Sequence, residues 1–194
     1  MEIESLRGLE KTIESLEDEI LEKKKKLAEL RRSLPRQEVQ DYVLMGSDGS
    51  QARLSEMFGP HNEMVLIHNM GKGCVYCTLW ADGFNGVVHH LENRAAFVVV
   101  SPDEPEVQRK FAESRGWIFK MYSGRGNSFI KDMGFATADN KYKPGVSTFM
   151  KDEKGGIYRV ASAIFGPGDD YCGVWHLFDL LPGGREEWKP KFNY

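Results

Sequence analysis

The sequence predicts an α/β domain, with a mixed sheet covered by helices on both faces and a long helix in front of it. Two patterns carry this prediction. Apolar residues recur with a seven-residue repeat up to Leu34, and short apolar strands alternate with helical segments after Pro35. Such alternation is typical of a sheet with helices packed against it. A chain of 194 residues is long enough for one such domain and an appendage.

The first segment predicts one amphipathic helix over residues 2–34, ended by Pro35, which lacks an amide hydrogen. Its apolar residues are alternately three and four positions apart, the spacing of the a and d positions in a coiled coil. They are Leu6, Leu9, Ile13, Leu16, Ile20, Leu27, Leu30 and Leu34, with Lys23 at the one polar position of the series. We therefore divide the chain into a coiled-coil helix, 1–35, and a domain, 36–194.

The charges of this helix are segregated along its length. Residues 2–22 carry eight acidic and two basic side chains, whereas residues 23–36 carry one acidic and seven basic side chains. Two antiparallel copies would place acidic beside basic residues, which favours a homodimer joined through the helix. The alternative is an amphipathic helix packed on its own domain.

The domain is predicted to follow the order βαβαβ, then a hairpin and a last helix. The expected strands are residues 64–68, 95–100, 117–122, 147–151 and 157–161, after a first hairpin strand at 42–45. The expected helices are residues 78–91, 103–115 with Asp103 as N-cap, and 174–181.

The pair Cys74 and Cys77 is the predicted functional centre, because it lies between a buried strand and a helix. Backbone N–H groups and the dipole at a helix N-terminus favour a thiolate, and Lys72 could add positive charge. We predict Cys74 as the attacking thiol and Cys77, one turn later and less exposed, as the resolving thiol. Two inert core cysteines are the alternative. A structural zinc site would need a second ligand pair, and only Cys172 remains.

Several motifs across the chain are similar to those of one protein family. They are the segments 41–44, 74–86, 99–101, 116–117, 145–149 and 178–185. Through them the chain resembles the thioredoxin-like domain-of-unknown-function family 899, which is grouped near the peroxiredoxins and thioredoxins. The resemblance implies a thioredoxin-like fold for the domain.

Two departures from better-known relatives bear on the reaction. Ser147 stands where thioredoxins place a cis-proline beside the dithiol, and residues 67–74 lack the proline and threonine of the peroxiredoxin loop. The leading hypothesis is a thiol–disulfide oxidoreductase or a peroxiredoxin-like antioxidant protein that needs no cofactor. A copper(I)-binding module using Cys74, Cys77 and His68 is an alternative, since soft thiolates suit that ion. A non-catalytic dimeric scaffold is another.

Four further residues have two interpretations each. Trp80 either packs in the core or forms a substrate platform, and Asp82 is either a proton acceptor for Cys77 or an exposed or capping residue. His68 is either a core histidine or a neighbour of the sulfurs, and Cys172 is either a second resolving thiol or a bystander.

Composition and charge exclude some classes of partner. A net charge of −3 gives no basic footprint for nucleic acid, and no apolar run approaches the ~18 residues of a membrane span. The charged N-terminus is unlike a signal peptide, so we expect a cytoplasmic location. The expected substrates are protein or small-molecule disulfides or peroxides.

Overall fold

The computed structural model describes residues 2–139 and 141–194, with side chains from Ser5 onward in the first helix. The chain forms two compact units, Met1–Pro35 and Arg36–Tyr194. The first unit is helix α1, Glu2–Ser33, and Met1 of the predicted segment 1–35 lies outside the described residues. Arg31 and Arg32 occupy the last turn of α1, where positive charge complements the helix dipole. The long N-terminal helix is therefore confirmed.

The second unit is built on one mixed sheet of eight strands. In chain order they are β1 Gln37–Val39, β2 Val43–Gly46, β3 Gln51–Arg53, β4 Glu63–His68, β5 Ala96–Ser101, β6 Lys120–Ser123, β7 Gly145–Lys151 and β8 Ile157–Ile164. They lie in the order β1-β8-β7-β4-β5-β6-β2-β3. Strands β4, β5 and β6 are parallel, and the other pairings are antiparallel. The mixed sheet of the prediction is confirmed.

The helices of this unit are α2 Val75–Gly86, α3 Val88–Arg94, α4 Pro105–Arg115, α5 Phe129–Asp132 and α6 Gly173–Asp179, with a 3-10 helix at Glu56–Phe58. The single helix predicted over 78–91 is wrong, because two helices meet at Val87. The predicted N-cap of α4 is also wrong, since Glu104 holds that position and Asp103 does not. Pro105 is the first residue of α4, and the residue before a proline favours an extended backbone.

Side chains of β4 and β5 alternate between two cores, one on each face of the sheet. Met64, Leu66, Val98 and Val100 pack with Phe129 of α5 on what we call the α5 face. Their neighbours Ile67, Phe97 and Val99 pack with Cys77, Trp80 and Ala81 of α2 on the α2 face. Burying each large apolar side chain stabilises the fold by roughly 1.5–3 kcal/mol. The two apolar cores therefore fix which face each strand residue occupies.

Candidate active site

The two cysteines lie where the chain passes from β4 into α2. Cys74 is the N-cap of α2, with an extended backbone (φ −98°, ψ 101°), and it is disulfide-bonded to Cys77 with a Cα–Cα distance of 5.2 Å. Cys74 is partly exposed, whereas Cys77 is 3% exposed and belongs to the core of the α2 face. Only the Cys74 sulfur of this pair is therefore accessible to a large partner molecule.

The N-terminus of α2 directs a backbone hydrogen-bond donor at this sulfur. The Cys77 amide donates to Cys74 Sγ at 3.0 Å, and the Thr78 amide donates to the Cys74 carbonyl at 3.0 Å. In the reduced protein an N–H donor and the positive end of the helix dipole both favour a thiolate over a thiol. The geometry thus stabilises negative charge on Cys74, the more accessible sulfur.

One carboxamide side chain and one carboxylate side chain hold the loop in front of Cys74. Asn69 Oδ1 accepts a hydrogen bond from the Gly71 amide at 2.8 Å, and Asp103 Oδ2 accepts one from the Lys72 amide at 2.7 Å. Gly71 has φ +101°, and a Cβ atom there would lie 2.8 Å from Asp103 Oδ1. The close approach of the carboxylate and the left-handed backbone therefore require glycine at this position.

Behind Asp103 lies a buried group of polar side chains. Gln108 Nε2 donates to Ser101 Oγ at 2.8 Å and to the Tyr122 carbonyl at 2.9 Å. Gln108 and Ser101 are each at most 1% exposed. Ser101 Oγ accepts a hydrogen bond from the Asp103 amide at 3.3 Å, and Ser123 Oγ donates to the Asp103 carbonyl at 2.7 Å. These bonds fix the backbone of Asp103, so that its carboxylate stays in position to accept the hydrogen bond from the Lys72 amide.

Sequence reasoning missed this role of Asp103 because it assigned the residue to a helix cap. A usable signal was nevertheless present. Asn69 follows β4 and Asp103 follows β5, and the carboxyl ends of neighbouring parallel strands meet at one edge of the sheet.

The predicted supporting residues on α2 and its loop have other partners than the sulfurs. The Lys72 side chain is exposed, and its amide is bonded to Asp103. Trp80 is 3% exposed in the core, and its Nε1 donates to Asp169 Oδ1 at 3.3 Å. The Asp82 carboxylate forms an ion pair with Arg115 and accepts from Trp117 Nε1 at 2.8 Å. Trp80 is thus a core residue, and Asp82 joins α2 to the end of α4 and to the segment after it.

His68 and Ser147 lie on the α5 face, across the sheet from Cys77. His68 stacks on Phe135, and its Nε2 shares a hydrogen bond of 2.9 Å with Ser147 Oγ. Ser147 is paired with Leu66 in the sheet, on the same face. The structure therefore does not bring these two residues to the dithiol.

Burial also determines the protonation state of His68, which is 1% exposed. Desolvation, with the positive charge of Arg159 as a smaller cause, lowers the pKa of His68 to about 3. The copper(I) set Cys74, Cys77 and His68 is not assembled, because the imidazole and the sulfurs are on opposite faces. Within residues 2–139 and 141–194, no three His, Cys, Asp or Glu side chains form a candidate metal site.

Aromatic side chains surround the first turn of α2. The ring of Tyr76, between the two cysteines, has its centroid 6.3 Å from Trp80 and 6.2 Å from Trp175 of α6. Trp175 in turn lies 5.8 Å from Trp188. Sequence reasoning did not select Trp175, because nothing local to α6 indicates that it packs against the C-x-x-C turn.

Cys172 is buried in the same core as Cys77. It is the N-cap residue of α6 and is 6% exposed, and burial together with the nearby Asp169 carboxylate raises the pKa of its thiol. A raised pKa makes Cys172 a poor nucleophile in the folded protein.

A bilayer crossing requires a long apolar helix, and none of the helices in the described part of the chain meets that requirement.

Comparisons with known proteins agree with this architecture. The family model described as a bacterial protein of unknown function, DUF899, matches residues 9–194. No protein of curated function matches the chain. Peroxidoxin BcpB from Mycobacterium tuberculosis superposes with a TM-score of 0.54 at 22% identity, over 66% of this chain and 84% of that chain.

Two further solved structures give the same result. Peroxiredoxin Q from Xanthomonas campestris superposes with a TM-score of 0.52 at 19% identity, over 64% of this chain and 80% of that chain. A peroxiredoxin-like protein from Aquifex aeolicus superposes with a TM-score of 0.52 at 18% identity, over 66% and 74% of the two chains. At these identities the superpositions confirm the thioredoxin-like fold.

Proposed function

The chain belongs to the DUF899 family of bacterial proteins of unknown function. We propose that it is a thiol–disulfide oxidoreductase or a peroxiredoxin-like antioxidant protein acting through Cys74 and Cys77. One observation carries the proposal. The partly exposed Cys74 caps α2, and its Sγ accepts a hydrogen bond from the Cys77 amide at 3.0 Å, while Cys77 is only 3% exposed. An accessible, stabilised thiolate with a buried thiol one turn away is the arrangement that thiol–disulfide exchange requires.

The proposed reaction starts from the reduced pair. The Cys74 thiolate attacks one sulfur of a substrate disulfide, so that a Cys74–substrate bond forms, the substrate S–S bond breaks, and one substrate thiolate leaves. Cys77 then loses its proton and attacks Cys74 Sγ, which releases the second substrate thiolate. The substrate has gained two electrons, the Cys77 proton is available to a thiolate product, and the protein carries the Cys74–Cys77 disulfide.

A peroxide would enter the same cycle differently. Attack of the Cys74 thiolate on a peroxide oxygen breaks the O–O bond and gives a sulfenic acid on Cys74, with the leaving oxygen protonated to water or alcohol. Condensation with the Cys77 thiol then forms the disulfide and releases water. In both cases an external dithiol or an equivalent thiol reductant must return two electrons to the protein.

The proposal includes a cytoplasmic location, because thiol reductants there keep such pairs reduced. It also includes a homodimer joined through α1. The catalytic assignment gives Cys74 and Cys77 their roles and requires no metal.

The test is a measurement of the reduction potential of the Cys74–Cys77 pair, with copper and zinc content determined on the same preparation. We expect a reversible two-electron couple between about −120 and −270 mV, the range of known oxidoreductases. Stoichiometric metal after purification would instead favour a metal-binding module that uses the Cys74 and Cys77 thiolates. A pair that forms no disulfide in any redox buffer would favour the non-catalytic scaffold.

Two variants assign the roles, both made with Cys172→Ser so that no third thiol interferes. Cys74→Ser should abolish the reduction of a model disulfide. Cys77→Ser should instead accumulate a mixed disulfide between Cys74 and the substrate, visible by mass spectrometry. A mixed disulfide that forms on Cys77 in the Cys74→Ser protein, with none on Cys74 in the Cys77→Ser protein, would reverse the assignment.

A further inference from the structure

We infer that α1 is a docking surface for a second copy of this chain, in an antiparallel pair with one defined register. The inference rests on the homodimer included in the proposed function and specifies its orientation and register, and it does not depend on the redox chemistry. Its basis is a stripe of apolar residues along α1, extended by Leu34 just after the helix, together with the distribution of charge on either side of it. The stripe consists of Leu6, Leu9, Ile13, Leu16, Ile20, Leu27, Leu30 and Leu34, which are 45–62% exposed.

The repeat of α1 assigns every residue a place relative to this stripe. Counting Leu6 as position a and Leu9 as position d, the stripe alternates a and d through Leu34, with Lys23 as its one polar member at a d position. The flanking e positions are Glu10, Glu17, Lys24 and Arg31, and the flanking g positions from Thr12 onward are Thr12, Glu19, Lys26 and Ser33. When two such helices run in opposite directions, the e residues of one face the e residues of the other, and the g residues face g residues. Charge at e and g therefore reports on orientation and register.

One antiparallel register matches all of these charges. In it Glu10 faces Arg31, Glu17 faces Lys24, and Glu19 faces Lys26 of the second copy. The two-fold axis repeats each pair, and no e or g position faces a residue of like charge. The corresponding core layers pair Leu9 with Leu34, Ile13 with Leu30, Leu16 with Leu27, and Ile20 with Lys23. Complementary charge of this kind sets partner choice and register more than it adds affinity.

The alternative arrangements bring like charges together. A shift of one heptad in one direction makes Glu17 and Glu19 each face their own counterpart, and a shift in the other direction does the same to Lys24 and Lys26. A parallel pair stacks Lys23 on Lys23 in a core layer and places Lys26 beside Arg31. Like charges at such positions oppose association, so only the stated register remains without a conflict.

Lys23, the polar member of the stripe, fits this arrangement. Its Nζ lies 3.2 Å from Glu19 Oε2 on the same helix. The four-carbon stem can therefore cover the neighbouring Ile20 layer while the ammonium stays at the edge of the interface. A polar residue at one core position commonly specifies register in helix pairs at some cost in stability.

The test uses the full chain in a thiol reductant, with mass measured by light scattering after size exclusion. We expect a particle of twice the 22.1 kDa chain mass. Glu17→Lys with Glu19→Lys places lysines opposite Lys24 and Lys26 and should weaken the dimer by ~10-fold or more. Adding Lys24→Glu and Lys26→Glu exchanges the charges and should restore it. The matched control, Glu14→Lys with Asp18→Lys, makes the same change of charge away from e and g and should leave the dimer intact.

Orientation is read by zero-length carbodiimide cross-linking of a mixture of isotope-labelled and unlabelled chains. Links between copies should join Glu17 to Lys24 and Glu19 to Lys26, whereas a parallel pair would join Glu19 to Lys24. A monomeric wild-type chain would overturn the inference. A dimer with the parallel link, or one that the exchanged charges do not restore, would overturn the orientation and register. The reduction potential of the Cys74–Cys77 pair is measured separately, so the two proposals can fail independently.

Discussion

The Asp103 carboxylate accepts a hydrogen bond from the Lys72 amide at 2.7 Å, which ties the segment after β5 to the loop in front of Cys74. The two residues are 31 positions apart in the chain. Their contact exists because β4 and β5 are parallel neighbours whose carboxyl ends open at the same edge of the sheet. The position of the exposed sulfur thus depends on an acidic residue outside the C-x-x-C segment.

Replacing Asp103 with alanine should destabilise this loop. The Lys72 amide would lose a charged acceptor, which is worth roughly 1.5–3 kcal/mol. We expect Asp103→Ala to lower the free energy of unfolding by about 2 kcal/mol in denaturant titrations. Amide hydrogen exchange should also become faster at residues 71–74.

The neighbouring Glu104→Ala is the control for Asp103→Ala. Glu104 forms an exposed ion pair with Arg125, and such pairs contribute at most about 1 kcal/mol. Equal losses of stability for the two variants, with unchanged exchange at residues 71–74, would show that Asp103 does not hold the loop.

Gly71 and Gly73 offer a matched pair of substitutions in the same loop. Gly71 has φ +101° and would place a Cβ 2.8 Å from Asp103 Oδ1, whereas a Cβ on Gly73 meets nothing within 4 Å. We expect Gly71→Ala to cost about 1–3 kcal/mol and Gly73→Ala to stay within ~0.5 kcal/mol of wild type. Thermal unfolding measures both, and a larger loss for Gly73→Ala would contradict this account of the loop.

Asp169 accepts three hydrogen bonds, one from α2 and two from within the segment after β8. Its Oδ1 accepts from Trp80 Nε1 at 3.3 Å and from the Tyr171 amide at 2.9 Å, and its Oδ2 accepts from the Gly166 amide at 2.9 Å. Asp169→Ala should lower the free energy of unfolding by about 2 kcal/mol and expose residues 165–172 to proteases. Asp170→Ala changes the exposed neighbour and should resist proteolysis like wild type. Cleavage at equal rates in the two variants would argue against this anchoring role.

The buried His68 should make the stability depend on pH. Its pKa in the folded protein is about 3, below the ordinary value of 6.5, so the folded state holds the neutral form. As the pH falls below 6.5, the unfolded chain binds a proton that the folded chain does not. The stabilisation is therefore complete above pH 6.5 and is lost as the pH falls towards 3, by about 1.4 kcal/mol per pH unit.

His68→Gln isolates this effect, because glutamine can still bond to Ser147 but does not titrate. Denaturant unfolding at pH 7.5 and pH 5 should show a decrease in wild type that exceeds the decrease in the variant by about 2 kcal/mol. The other histidines contribute equally to both proteins. Parallel pH profiles for the two would mean that His68 binds a proton as readily in the folded state as in the unfolded chain.

The sequence alone located the features that depend on near neighbours in the chain. The seven-residue repeat predicted the helix now seen as α1, and the apolar run before Cys74 predicted β4. The C-x-x-C spacing between that strand and a helix put the two cysteines one turn apart, and the structure shows them disulfide-bonded. These features depend on backbone periodicity, which a single segment contains in full.

Only the tertiary structure decided which distant side chains meet. Period-two alternation places His68 and Ile67 on opposite faces of β4, but it does not say which face α2 covers. The crossover from β4 through α2 to β5 put Cys77 with Ile67, and His68 with Ser147 and Phe135. The same crossover brought Asp103 to Lys72. Such contacts depend on which face of the sheet each connecting helix covers. The packing of the two apolar cores, one on each face, determines that choice.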